Sequence, residues 1–323
     1  MGGGVNRPTM VVHADWSTDF KKRWMVRAAV DGQIYRVEAP EPVGDVSTLW
    51  TRTVSLADPG AVVMGFDFPI GLPATFAIQA GLTDFVSALP ELGCGRWERF
   101  FDIAERADQV SVTRPFYPQR CVRKGDATRA HLTQGLRVNS MADLLRQCER
   151  AQPNRSAACS LFWTLGGNQV GRAAISGWRD FLRPLLRTPD HRVGIWPFDG
   201  DFSSLIGTRR CVIVETYPAD ACVQVGIGTP GRGWSKTKQG DRKDKALSLV
   251  QWAAARPIAL SAQLEAAICD GFGSGADGED RFDATVGMFG MLAVISGERS
   301  DRVPNDDRVR TVEGWIFGQQ EKA

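Results

Sequence analysis

Short apolar runs at residues 10–16 (MVVHADW), 24–30 (WMVRAAV) and 33–38 (QIYRVE) each predict a β-strand. The last two flank Asp31-Gly32, a dipeptide that predicts a hairpin because both central turn positions favour positive φ. A helical pattern is expected at about 44–57. The run AVVMGFDF at 61–68 then reads as a buried strand, stopped by Pro69 and Gly71. From 73 to about 187 the pattern changes to amphipathic helices, near 96–106, 140–151 and 172–187, separated by loops rich in Pro, Gly and Arg. Strand signals return at 193–196 and at CVIVETY, 211–217, followed by helices at about 243–255, 260–270 and 280–296. Three antiparallel strands leading through a helix into another strand predict an α/β fold on a mixed sheet. Acids at the strand ends of such a sheet can converge on one edge. With no internal repeat or Ser/Gly linker, the chain reads as one core, formed by 1–72 and 191–323, interrupted by a mainly helical insertion at 73–190.

Four places put a carboxylate where a core element begins or ends: Asp15, Asp67, Glu215, and the pair Asp280 and Asp283. The pair belongs to DGEDRFDATVGMFGMLAVI, 277–295, which opens with four carboxylates and continues as an apolar helix. Three positions apart, Asp280 and Asp283 share one side of that helix. Taken singly, an acid at a strand end is a turn former, and acids in a first helical turn oppose the macrodipole. Together, buried carboxylates repel one another, and a divalent cation relieves that repulsion. Gly287, four residues after Asp283, allows close backbone packing on the same face. His13 shares a strand face with Asp15 and is expected to be an ordinary packed histidine.

Composition narrows the metal. Seven widely spaced cysteines without a C-x-x-C pair, and three distant histidines, disfavour a disulfide framework or a zinc site. Oxygen ligands favour Mg2+ or Mn2+. Net charge is only +2, but two stretches are strongly basic. One spans 114–137 and includes Arg120, Arg123 and Lys124; the other spans 232–245 and includes Lys236, Lys238 and Arg242. With Arg150 and Arg155, residues Arg120, Lys236, Lys238 and Arg242 are candidate phosphate contacts.

No apolar run is long enough for a bilayer, and the N-terminus lacks a secretory pattern, so a cytoplasmic protein is expected, without membrane contact. GIGTPG at 226–231 fits G-x-G-x-x-G, but Pro230 and a basic loop stand where a nucleotide-binding helix belongs. The S-x-x-K spacing of Ser235 and Lys238 lacks the motifs that accompany it in penicillin-binding proteins.

HADWS at 13–17, GFDFPIGLP at 65–73, VETYP at 214–218, EDRFDATVGM at 279–288 and EGWIFGQ at 313–319 together resemble the domain-of-unknown-function family 429, whose members are predicted RNase H-like nucleases. The resemblance implies an RNase H-like five-stranded mixed sheet flanked by helices. It matches Asp15 to the acid of the first strand, Asp67 to the acid ending the fourth, Glu215 to an acid on a later strand, and Asp280 or Asp283 to the acid of the last helix. The implied activity is two-metal hydrolysis of a nucleic-acid phosphodiester, with Mg2+ or Mn2+ as cofactor and those acids as ligands and catalytic groups. ADWS departs from the D-G turn common in that superfamily. The alternative is a catalytically silent module of the same fold that binds nucleic acid or a protein partner.

Overall fold

A computed structural model describes residues 7–120, 127–151, 156–165, 170–188 and 192–321. The protein is α/β, with a mixed eight-stranded sheet. Its strands are β1 (Met10–Asp15), β2 (Trp24–Asp31), β3 (Ile34–Val37), β4 (Glu41–Pro42), β5 (Val62–Phe66), β6 (Val193–Ile195), β7 (Cys211–Glu215) and β8 (Ile258–Leu260). The order is β6-β7-β5-β1-β2-β3-β8, and β4 pairs with β2. β2 is antiparallel to both its neighbours, β1 and β3, whereas β1, β5 and β7 run parallel.

All six strands read from the sequence are present. β4, of two residues, and β8, which leads directly into the helix expected at about 260–270, add to these, so the sheet is larger than the five strands expected. The hairpin turn lies one residue later than its dipeptide suggested. Asp31 pairs with Ile34, so Gly32, at φ 60°, and Gln33 form the turn, with the positive φ on glycine alone.

Period-two alternation divides the sheet into two faces. On β1, Met10, Val12 and Ala14 enter a core shared with helix Val46–Leu56 and much of the segment after residue 73. Val11 enters the opposite core, against helices Pro218–Gln224, Ala246–Ala254, Ala262–Cys269 and Gly278–Ile295. The last of these has 18 residues and is buried at every position from Phe282 to Val294, as expected for a helix apolar on all sides.

Among the described residues, 73–190 holds no strand, only isolated bridges. Two expected helices there are corrected. Residues 96–106 form turns after the 3-10 segment Gly95–Trp97, and 140–151 form two short 3-10 segments, Met141–Leu144 and Gln147–Glu149. The helix expected at 172–187 is present as Val170–Gly177, a π-helical turn Trp178–Leu182, and Arg183–Leu186.

Candidate active site

Alternation decides which acids meet. Val11, His13 and Asp15 point from β1 towards helix Gly278–Ile295. Val63, Gly65 and Asp67 take the same face along β5 and just beyond it, where the Asp67 amide donates to the Ala14 carbonyl at 3.1 Å. The helix comes close here because both surfaces are cut back. A Cβ on Gly65 would stand 2.3 Å from Met291 Sδ, and one on Gly287 would stand 2.0 Å from His13 Cε1.

His13 is fully buried and fixes this approach. The Ala284 carbonyl, at 2.9 Å, can only accept, so the ring proton sits on Nδ1; Nε2 then accepts from the Thr216 hydroxyl at 2.8 Å. Burial holds the imidazole pKa down at about 4, against the pull of the Ala284 bond, so the ring is neutral. It therefore packs strand to helix instead of carrying charge.

On the helix, Gly278 is the first residue, and Asp277 makes no side-chain capping bond. Glu279 and Asp280 lie in the first turn; Asp283 lies beyond it, out of reach of the free N–H groups that acids usually cap. Asp15 and Asp283 are buried, and Asp67 and Asp280 are partly exposed, so the cluster opens to solvent on one side. Burial, then repulsion from Asp283, Asp67 and Asp280, pushes Asp15 well above the usual carboxylate range. Burial and then Asp283 raise Asp67 to about 7, and burial is the main cause that raises Asp280 to about 6 and lifts Asp283.

Lys236 opposes this at all four aspartates, joined by Lys22 at Asp280 and by Arg242 at Asp283. Lys236 Nζ pairs with Asp283 Oδ2 and lies 3.3 Å from Glu279 Oε1, and its charge pulls down each of the four aspartates. Burial is the largest single influence on Lys236 and lowers its pKa, but the charge and hydrogen bond of Asp283, with the charges of Glu279 and Asp67, together outweigh it and keep the ammonium protonated. The compensation is incomplete, because Asp283 Oδ1 and Asp280 Oδ2 are buried without a hydrogen-bond partner. Among the described residues, no three His, Cys, Asp or Glu side chains meet at metal-ligand spacing. The donor set of carboxylate oxygens, two of them unpartnered, nevertheless fits a hard divalent cation.

Glu215 stands on the other face from the cluster, although its charge still adds to the upward push on Asp67. Parallel pairing sets it opposite Phe66, on the face of Phe66 and away from Asp67. There Arg146 binds it with both terminal nitrogens, Nη1 to Oε2 at 2.7 Å and Nη2 to Oε1 at 2.6 Å. Arg146 also donates to Glu149 at 3.0 Å and to the Glu313 carbonyl at 3.0 Å. Glu215 accepts the Ile70 amide at 2.7 Å, so it holds the turn that follows Asp67.

The basic candidates divide. Arg242 is buried, and its three nitrogens donate to the carbonyls of Lys236, Gly271 and Gly273, so it clamps two loops together. Arg120, Arg150 and Lys238 are exposed. Arg123, Lys124 and Arg155 lie outside the described residues. No family model matches the chain, and no curated protein or solved structure does.

Sequence reasoning missed Arg146, which lies in a stretch read as an amphipathic helix and carries no local signal of being a hub. The sequence marks Lys236 only as a phosphate contact, because within a stretch of several basic residues nothing local distinguishes the one that pairs with Asp283.

Proposed function

We propose that the protein is a divalent-metal-dependent nuclease of RNase H-like type, hydrolysing phosphodiester bonds of a nucleic acid. The observation that carries this reading is the gathering of Asp15, Asp67, Asp280 and Asp283 at one end of β1 and β5, with pKa values pushed upward and two buried oxygens unpartnered. Additional support comes from the central strand order β3-β2-β1-β5-β7, with its antiparallel triplet followed by parallel strands, the arrangement expected of an RNase H-like sheet.

The four aspartates would hold Mg2+ or Mn2+. Such cations, when bound, activate water and stabilise the leaving oxygen of an in-line displacement. His13 and Gly287 fix the helix that carries Asp280 and Asp283 against β1. Glu215 acts through the Ile70 amide as a positioning residue for Asp67, and the exposed Arg120, Arg150 and Lys238 are available to phosphates. Helices on both faces leave the open side of the cluster as the approach for a substrate.

The test is cleavage of labelled single-stranded and duplex DNA and RNA with Mg2+ or Mn2+. Cutting should require the metal and disappear in Asp15→Asn. Absence of cutting on every substrate with either metal, alongside salt-dependent binding that survives Asp15→Asn, would instead establish a silent binding module.

A further inference from the structure

We propose that Lys236 is a tethered countercation that occupies the acidic site in the absence of metal and is displaced when a divalent cation enters. This rests on the metal-dependent reading above and concerns how that site is controlled.

Lys236 is the only lysine or arginine ion-paired to Asp283 among the described residues. Its ammonium touches Asp283 Oδ2 and Glu279 Oε1 while Asp283 Oδ1, in a residue only 4% exposed, has no partner. The site is therefore short of cationic partners even with the ammonium in place. A divalent cation bound to Asp283 would sit within a few ångströms of Nζ, and two cations at that distance repel. On this proposal the ammonium, held on a flexible stem, is the one that gives way.

The surroundings allow the ammonium to leave without disturbing the loop. Arg242 Nη1 holds the Lys236 carbonyl at 2.6 Å, and the Ser235 amide donates to Asp241 Oδ2 at 2.6 Å, so the backbone is anchored on both sides of the Cα. The side chain is anchored only at its tip, and 31% of it is exposed. Rotation about a flexible four-carbon stem takes a strongly hydrated ammonium into solvent.

The measurement is calorimetric titration of Mn2+ into metal-stripped wild type, Lys236→Met and Lys22→Met. Lys22 is the control, an exposed cation whose charge also acts on Asp280. If the closed arrangement is populated about nine times in ten, its removal tightens apparent affinity about tenfold. Lys236→Met should therefore bind Mn2+ about tenfold more tightly than wild type, and Lys22→Met should change by less than about threefold. In wild type, acetylation of Lys236 followed by mass spectrometry should accelerate at saturating Mn2+, which gives a readout independent of whether Lys236→Met folds.

Equal affinities for the two variants, or acetylation unaffected by bound Mn2+, would overturn the proposal and leave the metal reading intact. Failure of all three proteins to bind Mn2+ would overturn both.

Discussion

Replacing Asp67 by Asn should stabilise the metal-free protein while removing the proposed metal-dependent activity. Asp67 has a pKa raised from 3.8 to about 7, a difference of about 3 pH units. At 1.36 kcal/mol per unit, keeping it ionised in the folded state costs about 4 kcal/mol above pH 7. Partial exposure and the interaction with Asp283 share that cost, so a gain of about 2 kcal/mol is expected for Asp67→Asn at pH 8.

The sign follows from proton counts. Between pH 4 and 7 the folded protein keeps on Asp67 a proton that the unfolded chain has released, so this stabilising contribution is lost as pH rises through about 7. His13 acts in the opposite direction. Its folded pKa of about 4 lies below 6.5, so its contribution, about 3 kcal/mol, is present above 6.5 and lost as pH falls through 4. The two slopes oppose each other in wild type. The stability difference between Asp67→Asn and wild type should thus be near zero at pH 4, grow through pH 6, and level off above 7, leaving the variant more sensitive to acid than wild type. Urea denaturation in EDTA at pH 4, 6 and 8 measures it. A difference that is flat with pH, or a variant less stable than wild type at pH 8, would refute the electrostatic account of the cluster.

Two packing predictions test the scaffold around the site. Gly287→Ala puts a methyl where His13 Cε1 already stands and should cost about 2 kcal/mol by overpacking, read as a lowered urea midpoint. Arg146→Met leaves Glu149 and Glu215 buried without their guanidinium and should cost about 3–5 kcal/mol, with partial recovery in Arg146→Met/Glu215→Met; a loss below about 1 kcal/mol would show that the network is not structural.

The sheet was largely legible because β5 and β7 are apolar runs and β1 to β3 are short, mostly apolar segments around a turn dipeptide. β8 was not, since Ile258–Leu260 is three residues long and runs straight into a helix. Residues 96–106 misled for a different reason. Trp97, Phe100, Phe101 and Ala104 are buried at helical spacing, but they serve an aromatic cluster reached through turns. Asp15, Asp67 and Asp283 were legible as acids ending or entering apolar elements. The face of Glu215 was not, because it depends on the β5–β7 register, which no local pattern encodes.

That register gives Glu215 a different kind of importance. A carboxylate opposite Phe66 cannot turn towards Asp67 without reversing the alternation of β7, yet it reaches the turn that Asp67 begins. Its Oε2 accepts the Ile70 amide, the Trp178 indole donates to the Pro69 carbonyl at 2.7 Å, and the Leu72 amide donates to the Val312 carbonyl at 2.8 Å. Three separate parts of the chain therefore fix the backbone directly after Asp67. Arg146 orients Glu215 from a fourth, and Glu313 ties the same region to the start of helix Ala74–Ala80 through the Ala74 amide at 3.0 Å. The repulsion among Asp15, Asp67 and Asp283 would push an unrestrained loop outward. A carboxylate held against that repulsion needs a rigid support, and here the support comes from the opposite face of the sheet.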